Sequence, residues 1–192
     1  RLLFKSVLII CLEVIIGTGI IFQLLKVNMR TVYYSFYQNT QAEFEIPELF
    51  TTDFVPQGLE YCEEEDVYLI SGYTQEEKRS RIYVIKADGS YRRLEVIKSN
   101  GEPLYSHSGG ICTNGEFVYL AGGNGKCYAF SKKQLLEETS EHIDEIGSFA
   151  TYNSASFCYA KNGYIYVGEY FHRIKFKTRE THHIITPSGE GN

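Results

Sequence analysis

Two hydrophobic patterns divide the chain near residue 50. Between Val7 and Leu25 the apolar residues are almost continuous, and 13 of the 19 positions are Val, Ile, Leu or Phe. A helix of this length rises roughly 28 Å, about the thickness of the hydrocarbon core of a membrane. Beyond Phe54, Tyr, Val and Ile alternate with polar residues, and Asp-Gly or Asn-Gly dipeptides separate the runs. Such alternation is typical of antiparallel strands joined by tight turns, so the chain is predicted to be a membrane-spanning helix followed by an all-β domain.

The apolar run is expected to act as an uncleaved, single-pass anchor. A cleaved signal peptide is the competing interpretation, but no A-x-A-like cleavage site follows the run. We therefore predict a membrane anchor at 1–30, a juxtamembrane stalk at 31–50 and a β domain at 51–192.

A short pattern recurs three times in the β domain: a small-residue entry, a strand, a tight turn and a strand centred on tyrosine. The central tyrosines, Tyr68, Tyr119 and Tyr166, lie 51 and 47 residues apart, a period that indicates a β-propeller or a related repeat. We predict an arc of about three antiparallel blades, over about 51–100, 101–147 and 148–192. Because propellers usually have about four to eight blades, the arc is expected to be a fragment of a larger propeller that continues past Asn192.

Three of the five cysteines fall near the same place in the three copies of the pattern. These are Cys62, Cys112 and Cys158, and small apolar residues packed under inner strands would explain them. A disulfide between Cys112 and Cys127 inside one blade is the alternative. No two cysteines have the close spacing of a zinc knuckle, so no metal site of that kind is predicted.

Charge is distributed unevenly along the chain. Residues 1–30 carry a net charge of +3, and the remainder carries −8. Nucleic-acid binding requires a basic surface, so the acidic domain argues against such a partner. Basic residues flank the apolar run almost equally, and the positive-inside rule therefore leaves its orientation open.

Polar residues near the starts of the predicted inner strands are the candidate binding site. The inner strands of a propeller run along one central channel, so Gln57, His107 and Asn153 should face a common cavity, which Glu60 could join. Such a polar ring could bind a small ligand or, with oxygen ligands from further blades, a divalent cation such as calcium. The alternative is that these side chains satisfy backbone groups and hold channel waters.

Several phrases of the sequence resemble a known group of proteins. The segments 54–59, 68–73, 80–84 and 107–111 are similar to uncharacterised membrane-anchored β-propeller-like proteins of Gram-positive bacteria. That resemblance implies an extracytoplasmic domain on a single-pass anchor in the cell membrane. At greater distance the repeat resembles the gluconolactonase and quinoprotein-like propellers, but their metal-binding Glu, Asn and Asp have no matching positions in this chain.

The expected function is a membrane-tethered binding or scaffold module of the cell envelope. Its channel face would bind a small-molecule ligand or an envelope protein, with no cofactor other than a possible calcium ion. The alternative is a lactonase-type or metal-dependent hydrolase with its site in the channel. Additional inward-facing carboxylates or amides in later blades would favour the enzyme.

Overall fold

The computed structural model of the chain describes residues 2–41, 44–137 and 139–170. The chain forms two compact units, Arg1–Glu45 and Ile46–Asn192.

The N-terminal unit is helical. Helix α1 spans Leu2–Val32, and the short helix α2 spans Tyr34–Asn39. Within α1, the 21 residues Lys5–Leu25 are long and apolar enough to cross a membrane, although a signal sequence can have the same properties. Their apolar side chains are exposed, which suits a helix surrounded by lipid. The predicted N-terminal apolar helix is therefore confirmed, while its topology stays a prediction.

The second unit consists mainly of strands, and eight of them form one mixed sheet. Their order across the sheet is β1-β2-β3-β4-β8-β7-β6-β5, and a short helix α3 lies between β7 and β8. The elements are β1 Phe54–Cys62, β2 Val67–Thr74, β3 Ser80–Lys86, β4 Tyr91–Ile97, β5 Gly110–Asn114, β6 Phe117–Ala121, β7 Lys126–Ser131, α3 Lys132–Leu136 and β8 His142–Ala150. Strands β9 Phe157–Lys161 and β10 Tyr164–Gly168 pair with each other as a separate hairpin.

The sheet is built from two antiparallel meanders. Strands β1–β4 form the first meander and β5–β8 the second, and a short parallel pairing of β4 with β8, from Glu95–His142 to Ile97–Asp144, joins them. The two strands at the ends of this order, β1 and β5, lie close together. A Cβ added to Gly58 on β1 would lie only 2.8 Å from the Cα of Gly110 on β5. The sheet is therefore nearly closed.

Tight turns occur at the predicted dipeptides. The Asp88-Gly89 turn joins β3 to β4, and Asn114 and Phe117 close the turn between β5 and β6. In the β9–β10 hairpin both turn residues, Asn162 and Gly163, have positive φ (53° and 80°), as a type I′ turn requires. The rest of the third predicted blade, beyond residue 170, lies outside the described residues.

Two core clusters lie on opposite faces of the second meander. The first core cluster joins the two meanders and includes Leu69, Ile82, Leu94, Leu120, Phe130, Leu135 and Ile143. The second core cluster joins the second meander to the β9–β10 hairpin and contains Cys112, Tyr119, Ala121, Cys127, Cys158 and Ile165. The second meander is thus buried on both faces, which explains the nearly continuous apolar run of β6.

The central tyrosines of the first and second copies of the pattern, Tyr68 and Tyr119, do not occupy equivalent positions in the structure. Tyr119 lies in the second core cluster, whereas the neighbours of Tyr68, Val67 and Leu69, enter the first. Tyr68 therefore points to the other face of its sheet, where its ring centroid lies 4.6 Å from that of Tyr61. An all-β domain after an apolar helix is confirmed, and the three-blade arrangement stays a prediction.

The four cysteines of the β domain are buried free thiols, so the alternative disulfide between Cys112 and Cys127 is not formed. Strand β6 lies between the two residues, so their Cα atoms are two interstrand spacings of about 4.8 Å apart. Together these spacings exceed the roughly 7 Å that a disulfide allows between Cα atoms. The cysteines also pack in different places, because Cys62 lies in the first core cluster while Cys112 and Cys158 lie in the second.

Candidate functional site

A cavity of about 670 Å³ opens where β1 meets the segments that lead into β5 and β9. We call it the His107 cavity. Its polar lining residues are Gln57, His107, Ser154, Ser156, Glu169 and Tyr170, and its remaining lining residues are Gly109, Gly123 and Phe157.

Gln57 reaches the cavity because β1 contains a bulge. Pro56 pairs with Gly72 and Gly58 with Ser71, so Gln57 has no pairing partner on β2. A bulge bends a strand and redirects the side chain of the extra residue. The Gln57 side chain is exposed, and its Nε2 donates a hydrogen bond of 3.1 Å to the carbonyl oxygen of Pro56.

His107 is held between two anchored serines in the segment before β5. The Oγ atom of Ser106 accepts a hydrogen bond from the backbone N–H of Ser108, and the Ser71 hydroxyl donates to the carbonyl oxygen of Ser108 at 2.9 Å. Ser108 is buried with a φ of 50°, an uncommon conformation for a residue other than glycine. This fixed backbone presents the imidazole of His107 at the surface of the domain.

Two further groups fix the position of the His107 ring. Its centroid lies 5.2 Å from that of Tyr73 in an edge-to-face arrangement, a favoured geometry for aromatic pairs. Gly123 has a φ of 73°, and a Cβ added there would lie 3.3 Å from the Cβ of His107. Glycine at this position therefore provides both the backbone conformation and the space for the histidine.

The segment before β9 repeats the same local device. The Oδ1 atom of Asn153 accepts from the backbone N–H of Ala155 at 2.8 Å, as Ser106 does for Ser108, and Ala155 has a φ of 51°. Ser154 therefore corresponds to His107 and lines the cavity beside Ser156, with the two Oγ atoms 2.8 Å apart.

Two of the four predicted site residues are used elsewhere. Asn153 is not in the cavity lining, because its amide spans Ala155 and the carbonyl oxygen of Val167, to which Nδ2 donates at 2.8 Å. Glu60 is also absent from the lining, and it accepts hydrogen bonds from the backbone N–H and the hydroxyl of Thr113 at 3.2 and 3.1 Å. The structure brings Gln57 and His107 together and assigns Asn153 and Glu60 to structural contacts. That any of them binds a ligand stays a prediction.

The side of the cavity that follows β10 was not predicted from the sequence. Glu169 and Tyr170 come directly after this strand, and Phe157 begins its partner β9. Their signal in the sequence was their position just past the third tyrosine-centred strand. They contribute one carboxylate and two aromatic rings to a site that otherwise offers an imidazole, an amide and hydroxyl groups.

A second recess, of about 930 Å³, lies at the turn between β1 and β2. Lys132 already has acidic partners there, since its Nζ lies 2.6 Å from Glu65 and 3.7 Å from Glu64. The Glu64 side chain is 88% exposed and free to move with its turn, so this recess is a weaker candidate than the His107 cavity.

The donor set of the His107 cavity suits hydrogen bonding to an organic ligand. Within residues 2–41, 44–137 and 139–170, no group of three or more His, Cys, Asp or Glu side chains is placed to hold a metal ion, and the calcium expectation stays untested. No protein-family model matches the chain, and a search of curated proteins finds no match. The geometry of the cavity is therefore the basis for assigning a function.

Proposed function

We propose that this chain is a membrane-tethered binding module whose β domain faces the cell exterior and binds a small, hydroxyl-rich ligand in the His107 cavity. The observation that carries the proposal is the convergence of Gln57, His107 and Ser154 from three separate strand entries on one cavity. The local backbone positions each side chain: a β-bulge positions Gln57, and a residue with positive φ follows both His107 and Ser154.

The chemistry of the lining favours a neutral ligand with several hydroxyl groups, such as a saccharide. Glu169 disfavours an anion, while the amide of Gln57 and the serine hydroxyls can both donate and accept hydrogen bonds. Phe157 and Tyr170 add apolar surface, which a binding cavity needs beside its few orienting polar groups.

A propeller arrangement would explain why the strand entries converge. The two meanders and the β9–β10 hairpin pack in chain order, with the second meander buried between the other two. Successive blades of a propeller stack in this way and bring their first strands to a common channel. On this proposal β1, β5 and β9 are the inner strands.

The tether is supported by composition, and the outward orientation rests on the resemblance to membrane-anchored proteins of Gram-positive bacteria. Helix α1 is long and apolar enough to span a membrane, and the chain beyond residue 30 has a net charge of −8. An acidic domain is repelled by anionic lipid headgroups and would stand clear of the membrane surface.

Ligand binding can be tested on the full chain in detergent micelles with a panel of mono- and disaccharides, observed by saturation-transfer NMR. We expect at least one saccharide to bind at millimolar concentration, and the Gln57→Ala and His107→Ala variants to lose the signal. Gln75→Ala and His142→Ala change exposed residues outside the cavity lining and should retain it. Binding that survives both cavity substitutions, or no binding by any saccharide, would contradict the proposal.

Orientation needs a separate test, and the four native cysteines of the β domain are buried and would not react with a label in the folded protein. A Gln75→Cys variant instead offers an exposed thiol on the β domain. A membrane-impermeant maleimide should label it in intact cells. Labelling only after permeabilisation would place the domain inside the cell.

A further inference from the structure

We propose that Cys112 and Cys158 are an oxidation site that closes to a disulfide and fastens the β9–β10 hairpin to the second meander. This inference concerns the second core cluster and is independent of ligand binding in the His107 cavity.

The two cysteines come from elements that pack closely without sharing backbone hydrogen bonds. Cys112 is fully buried on β5, and Cys158 is 9% exposed on β9. In the β5–β6 pair Cys112 lies directly opposite Tyr119, and the thiol of Cys158 donates a hydrogen bond of 3.6 Å to the carbonyl oxygen of that same tyrosine. The sulfur of Cys158 is thus aimed at the backbone next to Cys112.

The backbones of β5 and β9 approach each other closely beside Cys158. Gly110 precedes Cys112 by two residues and lies on the same face of β5. A Cβ added to Gly110 would lie only 2.7 Å from the backbone nitrogen of Cys158. The thiol of Cys127 also contacts that of Cys158, but Cys127 lies on β7, two strands away from this close backbone approach. Strand placement therefore favours Cys112 as the partner of Cys158.

The thiols of the cluster differ in acidity. Hydrogen bonds from the thiols of Cys112 and Cys127 lower the pKa of the Cys158 thiol, against the opposing effect of burial. The contact with Cys158, together with burial, raises the pKa of Cys112. Cys158 is also the more exposed thiol of the pair, at 9% against 0% for Cys112, so its deprotonated form is the nucleophile that meets the oxidant.

The oxidant that this reaction needs is another disulfide, R–S–S–R, either a small molecule or the active-site disulfide of a thiol oxidoreductase. The Cys158 thiolate attacks one sulfur of this disulfide, which forms a mixed disulfide and releases RS⁻. The Cys112 sulfur then attacks the Cys158 sulfur and expels the second RS⁻, while its proton passes to the released thiolates. In total two protein thiols become one disulfide and R–S–S–R becomes two RSH.

Access to Cys158 requires the hairpin to open. Strands β9 and β10 form a sheet of only two strands, which is marginally stable by itself and depends on packing against the second meander. Opening would expose Cys158 to the oxidant, and the disulfide would then hold the hairpin closed.

The test exposes the folded full chain in detergent micelles to oxidised glutathione, alkylates the remaining thiols after denaturation, and maps the peptides by mass spectrometry without reduction. We expect a linked peptide pair containing Cys112 and Cys158, with Cys62 and Cys127 alkylated. The pair should be absent from Cys158→Ala and retained in Cys62→Ala and Cys127→Ala. Oxidation should also slow hydrogen exchange of the β9–β10 amides by at least about tenfold in the wild-type chain, since opening would then break a covalent link.

Two outcomes would overturn the inference without relying on any variant that might misfold. One is a wild-type chain in which Cys112 and Cys158 both remain alkylatable after treatment, although the same oxidant forms disulfides in the urea-unfolded chain. The other is a linked pair that joins Cys158 to Cys127 or to Cys62.

Discussion

The hydroxyl of Tyr83 donates a hydrogen bond of 2.7 Å to Oε2 of Glu48, a residue 35 positions earlier in the chain. Tyr83 is fully buried on β3, while Glu48 lies in the turn that precedes β1 and has a φ of 58°. The same carboxylate accepts a hydrogen bond from Arg93 on β4 at 3.2 Å. One carboxylate therefore ties the entry of the β domain to two strands of the first meander.

Removing this hydrogen bond should destabilise the β domain. We expect Tyr83→Phe to lower the free energy of unfolding by about 1–2 kcal/mol, because a partly buried hydroxyl bonded to a carboxylate is lost. In a double-mutant cycle with Glu48→Gln, measured by urea denaturation, the two changes should not be additive. Tyr91→Phe, which alters a 45% exposed tyrosine on β4, is the matched control and should have little effect. Additive effects of Tyr83→Phe and Glu48→Gln would contradict the interaction.

The same carboxylate should make stability depend on pH. Partial burial alone would raise the pKa of Glu48, but the hydrogen bonds from Tyr83 and Arg93 outweigh it and the net pKa is lowered. A carboxyl whose pKa is lower in the folded state stabilises the fold above its ordinary pKa, and this contribution is lost as the pH falls through the lowered value. Thermal denaturation between neutral and acidic pH should therefore show a smaller loss of stability for Glu48→Gln than for the wild-type chain. An equal loss in both proteins would exclude this role for Glu48.

Local turns could be predicted from the sequence because their cause is local. Asn-Gly and Asp-Gly supply the positive φ of tight turns, and those turns join strands where expected. Ser131 caps the short helix α3 through an equally local contact, since its Oγ accepts from the backbone N–H of Gln134. The side chain of Gln134 does not bond back to the start of α3. It forms hydrogen bonds with Asp144 on β8, a contact that no local sequence pattern reveals.

The repeat register could not be predicted because spacing alone does not determine which face a strand residue occupies. Tyr119 and Tyr166 are each the second residue after the pair that closes the preceding turn, whereas Tyr68 is the first residue after Val67, which closes its turn with Cys62. Side chains alternate between faces, so this one-residue difference places Tyr68 on the opposite face.

The candidate site was predictable only as far as the starts of the strands. Gln57 near the start of β1 and His107 just before β5 both line the His107 cavity, as the predicted convergence of these strands required. Asn153 and Glu60 carry equally polar side chains, but the side-chain oxygen of each accepts a hydrogen bond from a backbone N–H. The donors are Ala155 and Thr113, respectively. Asparagine often bonds the nearby backbone in this way, whereas the contact of Glu60 with Thr113, 53 residues away, depends on how β1 packs against β5.

Arg92 should be more important for stability than its position on β4 suggests. Its guanidinium donates to the carbonyl oxygens of Leu135 and Glu137 at 2.6 Å, and to that of Ser140 at 3.2 Å. These carbonyls lie at and beyond the C-terminal end of α3, where helical partners are missing. We expect Arg92→Lys to lower the free energy of unfolding by about 1–2 kcal/mol and Arg92→Met, which keeps only the aliphatic stem, to lower it further. Chemical denaturation will measure both, and a methionine variant as stable as the wild-type chain would refute the role of the guanidinium.

Two strand glycines should respond in opposite directions to the same substitution. A Cβ on Gly110 would lie 2.7 Å from the nitrogen of Cys158 and 2.9 Å from the Cα of Phe157, so Gly110→Ala must push β5 and β9 apart. Forcing a core contact in this way typically costs about 1–3 kcal/mol, and the β9–β10 amides should exchange faster with solvent.

Gly147 on β8 has no atom within 4 Å of an added Cβ and lacks positive φ, which makes it the matched control. Gly147→Ala should leave the exchange of β9–β10 unchanged and stabilise the domain slightly, because alanine loses less backbone freedom on folding. If Gly110→Ala left hairpin exchange at the wild-type rate, the close packing of β9 on β5 would be wrong, and the proposed Cys112–Cys158 link would lose its geometric basis.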